Sequence, residues 1–200
     1  MAAIDDVATP ECLTLWRCIG CGAMGNAKEC QGTCDFKRDF VVDAASHADL
    51  LEFFLSLSDH NEALHLLARD VVAETAAAER FERALAGLRA RAKRLLAEAL
   101  GEEPPQAVPP DERAEIWLCV SCDMVEAPRD CLGICIRRNG DFVRGKDHDA
   151  LSAQIESARI ESRSLAALAR QIGWATPRPG QFERTRGALR TMALSLLATA

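Results

Sequence analysis

Eight of the nine cysteines fall into two sets of identical spacing. Cys18, Cys21, Cys30 and Cys34 form one C-x2-C-x8-C-x3-C pattern, and Cys119, Cys122, Cys131 and Cys135 form the other. Four thiolates arranged as two close pairs suit a tetrahedral ion such as zinc, whose four-thiolate sites accept varied loop lengths. Backbone must also come close to such a site. Gly32 and Gly133 sit at the middle of the second pair, in C-x-G-x-C, where the lack of a side chain permits that approach. Gly22 and Asp123 follow the first pair, and both residue types tolerate positive φ better than most. Disulfides are the competing chemistry. Residues 1–12 carry Asp5, Asp6 and Glu11 and have neither the basic nor the apolar region of a secretory signal. The expected compartment is therefore the cytoplasm, where thiols stay reduced and clustered cysteines bind metal.

Trp16-Arg-Cys18-Ile-Gly-Cys21-Gly22 resembles the first knuckle of zinc ribbons and rubredoxin-like domains, and Trp117-Leu-Cys119-Val-Ser-Cys122 does the same. The resemblance covers about twenty residues in each half of the chain. It implies a small β-hairpin module around one metal, either zinc or, in the rubredoxin case, iron. The second cysteine pair departs from that family by having three residues between its cysteines instead of two, and the eight-residue loop is short. Two zinc ions are the expected cofactors. Iron, as single ions or iron–sulfur clusters, is the alternative, although the familiar ferredoxin spacings bring three cysteines closer together than here.

The elements that position these cysteines occur twice. A shift of 101 residues brings Trp16, Cys18, Cys21, Cys30, Gly32 and Cys34 onto Trp117, Cys119, Cys122, Cys131, Gly133 and Cys135. The register slips by one residue where Asp39-Phe40-Val41 matches Asp141-Phe142-Val143, and then recovers. His47 matches His148, and Phe81-Glu82-Arg83 matches Phe182-Glu183-Arg184. The chain thus reads as an internal duplication.

Each half continues into a helical hairpin. Ser46 and Asp147 suit helix N-caps. Beyond them, apolar positions recur in steps of four and three: Leu50, Phe54, Leu57, Asn61, Leu64, Ala68 and Val71, then Leu151, Ile155, Ala158, Ser162, Leu165, Ala169 and Ile172. A second helix follows with Phe81, Ala84, Leu88, Arg91 and Leu95, or Phe182, Thr185, Leu189, Met192 and Leu196. Thr176-Pro-Arg-Pro-Gly180 breaks the second pair of helices. Thr75-Ala-Ala-Ala-Glu79 contains no breaker, yet its duplicate argues for a turn there. The fold class expected is mainly α, with two small metal-bound β-hairpin modules and two helical hairpins joined as a four-helix bundle. The first repeat covers 12–100, with a four-cysteine head at 16–41 and a helical hairpin at 47–100. A proline-rich linker, expected to be stiff and exposed, covers 101–112. The second repeat covers 113–200, with its head at 117–143 and its hairpin at 148–200. On this reading each metal centre takes all four ligands from one repeat.

Other features carry less chemistry. Cys12 aligns with Arg113, so it belongs to neither set and reads as a buried or incidental thiol. His47 and His148 stand at matching helix starts, where packing against the head is favoured over ligation because four thiolates already complete a tetrahedral site. His60 and His65 have no counterparts. The arginine-rich stretch from Arg80 to Arg94 reads as a solvated helix face. The net charge of -6 and 5% aromatic content argue against nucleic acid as a partner. No run of 18 apolar residues is present, so no membrane span is expected. Phosphate loops, dinucleotide fingerprints and Ser-His-Asp patterns are missing, so the reading leans away from an enzyme. The expected function is metal binding, with structural zinc in a protein-interaction or adaptor role. An electron-transfer protein with two iron centres and a nucleic-acid-binding regulator are the alternatives. The oligomeric state is left open.

Overall fold

The structure is a computed structural model that describes residues 12–18, 23–26, 36–98, 105–119, 125–126, 137–178 and 180–198. The first half runs β1 (Leu13–Cys18), β2 (Met24–Gly25), β3 (Phe36–Asp43), α1 (Ala44–Glu74) and α2 (Ala78–Glu98). The second runs β4 (Ala114–Cys119), β5 (Val125–Glu126), β6 (Arg137–Arg144), α3 (Gly145–Trp174) and α4 (Phe182–Ala198), after a 3-10 turn at Pro110–Glu112. The protein is mostly helical, with a small sheet. Among the described residues no helix is long and apolar enough to cross a membrane.

Strands β1, β2 and β3 begin at 13, 24 and 36, and β4, β5 and β6 begin at 114, 125 and 137. The long helices begin at 44 and 145. The offset is 101 throughout, so the one-residue slip read from Asp-Phe-Val does not exist in the strands. Val41 corresponds to Phe142, and both are buried in the sheet core at 1% and 7% exposure. A slip of one would have turned every side chain of one strand to the opposite face.

Contacts divide the chain into two compact units, and each draws on both halves of the sequence. One contains the described residues of Phe53–Pro104 and Gln154–Ala200, and the other those of Ala2–Glu52 and Pro105–Ala153.

The strand unit holds a six-stranded antiparallel sheet in the order β2-β1-β6-β3-β4-β5. Its central pair is β3 with β6, where Val42 stands opposite Val143. Strand β1 pairs with β6 along Leu13–Cys18, and β3 pairs with β4 from Phe36 to Val41. Each long strand of one half therefore has its longest pairing with a strand of the other half. Alternation sets the faces: Leu15, Met24, Val41, Ile116, Val125 and Phe142 form one buried cluster. On the outer side Thr14 donates to Asp141 at 2.9 Å, and Arg38 pairs with Glu115 at 2.9 Å while lying over the Phe40 ring.

Helix α1 starts three residues earlier than 47, and α3 three residues earlier than 148. The cap of α1 is Asp43, not Ser46: its carboxylate accepts from the Ala45 amide at 2.9 Å. This satisfies one of the free N–H groups that every helix start exposes.

In the helical unit, α1, α2, α3 and α4 contribute to one buried cluster that includes Leu64, Leu67, Val71, Phe81, Leu88, Leu165, Ile172 and Leu189. Asn61, buried on the α1 seam, donates to the Ala158 carbonyl of α3 at 2.9 Å. The break between α1 and α2 falls at residues 75–77. Thr75 is fully buried, and its hydroxyl donates back to the Val71 carbonyl, which lets the chain turn without glycine or proline. The corresponding break before α4 uses Gly180 at φ +85°, a conformation that other residues rarely adopt.

Candidate metal centres

Of the eight predicted ligands, the described residues include only the backbones of Cys18 and Cys119. Cys21, Cys30, Cys34, Cys122, Cys131 and Cys135 lie outside them. Among the described residues no three His, Cys, Asp or Glu side chains gather as a metal site.

The surrounding strands define where the cysteine segments leave and rejoin the sheet. Cys18 ends β1, whose last pairing with β2 is Arg17 opposite Met24. In sequence, Cys21 falls in the segment between these two paired strands, outside the described residues. Cys119 ends β4 in the same way, where Leu118 stands opposite Val125. The second pairs precede strands: Cys34 is two residues ahead of Phe36, the start of β3, and Cys135 is two residues ahead of Arg137, the start of β6. The all-sulfur donor set that these eight cysteines would supply suits zinc or iron.

Trp16 packs on Gly25, its register partner across β1 and β2. A Cβ at Gly25 would lie 2.5 Å from the indole ring, so glycine is needed for this close approach. The two edge hairpins also meet. Asn26, the residue after β2, donates its amide to the Val125 carbonyl at 3.4 Å, and its side-chain oxygen accepts from the Val125 amide at 3.1 Å. Sequence reasoning did not single out Asn26. Its position one residue beyond a two-residue strand offered no periodic signal.

Next to the sheet, His47 and His148 are both buried, at 5% and 0% exposure, with ring centroids 5.7 Å apart. Both stand near the starts of the long helices and pack against each other. His148 Nε2 accepts from the Val108 amide at 3.1 Å, and Nδ1 of each ring is buried without a hydrogen-bond partner among the described residues. Burial pushes both imidazoles below the usual histidine range, with Asp147 opposing this at His47. At His148 the neighbouring His47 and Arg113 push the same way, and Asp149 opposes.

The linker was expected to be a stiff, exposed spacer, yet part of it is pinned down. Besides the Val108 amide on His148, the Val108 carbonyl accepts from the Arg113 guanidinium at 3.1 Å, and Arg113 forms a two-pronged pair with Asp149 at 2.6 and 2.8 Å. This hydrogen-bonded pair raises the Arg113 pKa and lowers that of Asp149. Cys12, which aligns with Arg113, is free and exposed, not buried. His65 binds Glu161 at 2.6 Å.

Comparison with family models, with curated proteins and with solved structures finds no match to this chain.

Proposed function

We propose that the protein binds metal at two four-cysteine centres that hold structural zinc, and that its helices form a four-helix bundle serving as a platform for a protein partner. The observation that carries this reading is the position of the cysteines relative to the strands. Cys18 and Cys119 each end a strand that pairs antiparallel with the next, while Cys34 and Cys135 stand two residues ahead of the two longest described strands in sequence. Thiolate coordination at those four places would fasten the ends of the sheet. Among the described residues the sheet core is small, with six buried residues in its cluster, and a core of that size would gain much of its stability from bound metal.

The bundle is supported by the single buried cluster to which all four helices contribute. The adaptor role is supported by apolar side chains facing solvent on the same unit, chiefly Ile160 at 56% and Trp174 at 63% exposure. Thiol titration tests the metal reading. In protein purified without chelator, the exposed Cys12 is expected to react at once, and the other eight thiols only after a chelator is added. Prompt reaction of all nine would contradict the proposal.

A further inference from the structure

We infer that His148 is a proton-operated latch on the segment 105–113: the neutral ring holds the Val108 amide, and the protonated ring releases it. The latch goes beyond the metal-centre reading and does not depend on it.

The Val108 amide donates to His148 Nε2 at 3.1 Å. A backbone amide is always a donor, so Nε2 is the unprotonated nitrogen and the ring proton sits on Nδ1. One added proton turns Nε2 into a second donor facing the first. An attraction then becomes a repulsion at the same distance. His148 is fully buried, so water reaches the opposed N–H groups only when the segment moves away.

The surroundings sharpen this response. Burial opposes a charge on His148 most, and the neighbouring His47 and Arg113 oppose it further. The His47 ring stands 5.7 Å away between centroids, on α1. Asp149, on α3 beside His148, favours the charge, but it is exposed and already engaged by Arg113 at 2.6 and 2.8 Å. Asp147 acts on His47 in the same favourable sense.

The segment itself is lightly held. Pro105, Val108 and Arg113 are half-buried, and the other residues from 105 to 113 are exposed. Apolar burial therefore contributes little to its position. Its polar grip centres on Val108, whose amide binds His148 and whose carbonyl accepts from Arg113 Nε and Nη2, each at 3.1 Å. When His148 gains a proton, the first contact is lost, and the guanidinium that makes the second is repelled by the new cation. Because the held form requires a neutral ring, it is complete above the ordinary histidine value of about 6.5 and is lost as the pH falls below it.

Amide hydrogen exchange on the intact chain, paired with the nitrogen-15 spectrum of its imidazoles, tests the latch between about pH 8 and about pH 5. At the upper end His148 Nε2 should be unprotonated and Nδ1 protonated. As the pH falls, Val108 should lose about tenfold in protection, corrected for intrinsic exchange, over the interval in which Nε2 gains its proton. Leu50, inside α1, should keep its protection. In His148→Gln, whose side-chain oxygen accepts without titrating, Val108 protection should not vary with pH. An Nε2 protonated at neutral pH, or still unprotonated at the acid end, would overturn the latch. So would Val108 protection that survives the titration, falls in parallel with Leu50, or keeps its pH dependence in the variant.

Discussion

The imidazoles of His47 and His148 pack against each other at the starts of α1 and α3, with ring centroids 5.7 Å apart and planes tilted by 49°. Both are buried, and both are held below the ordinary histidine value of about 6.5, mainly by burial. The folded chain therefore takes up fewer protons than the unfolded chain once the pH drops below about 6.5. Stability is full above that value and falls as the pH is lowered through it. Urea midpoints measured at neutral and mildly acidic pH should decline toward acid, and His47→Gln should flatten that decline. An unchanged slope in the variant would contradict this account.

Arg186 and Arg190 of α4 cap the end of α1. Arg186 donates to the Thr75 carbonyl at 2.6 Å and Arg190 to the Val72 carbonyl at 2.8 Å, groups that have no further turn of helix to pair with. Replacing Arg190 with Met, which keeps much of the stem, should cost about 1.5–3 kcal/mol in denaturant unfolding, typical of one hydrogen bond with a charged partner. A cost within error of zero would mean that the contact contributes nothing.

Gly25→Ala tests the packing of Trp16. The added methyl would collide with the indole at 2.5 Å, and a ring in a paired strand has little room to move. Overpacking of this kind should destabilise the fold by about 1–3 kcal/mol. Gly87→Ala is the control: a Cβ there meets nothing within 4 Å, and alanine favours the helix by roughly 1 kcal/mol. Equal effects of the two substitutions would rule out the packing explanation.

The sheet predicts that the two halves of the chain do not fold alone as monomers. Strand β1 depends on β6, and β4 on β3. Chains covering residues 1–104 and 105–200, produced separately, should be unfolded or self-associated, and mixing them should restore the native circular dichroism spectrum. A folded monomer from either half would contradict the observed register.

The sequence made the helices legible because their apolar seams are local. Leu50, Leu64, Ala68, Val71, Leu151, Leu165, Ala169 and Ile172 all face inward, as their spacing implied. Positions of the strands were partly legible, since Trp16-Arg-Cys18 and Trp117-Leu-Cys119 mark the ends of β1 and β4. What local pattern could not reveal was which strand pairs with which. Leu15 and Ile116 are equivalent residues with the same burial, so β1 would look equally suited to β3 or β6. That choice is made by register across the whole sheet, and it depends on Val42 meeting Val143. The start of α1 was missed for a local reason: Asp43 closes β3 and caps the helix at once, leaving no loop between them.

The most direct measurement of the central claim is elemental analysis of protein purified without chelators, combined with its visible absorption spectrum. The account predicts two zinc ions per chain and a colourless solution. A metal-free chain that is nevertheless folded, or a red-brown protein containing iron, would contradict it.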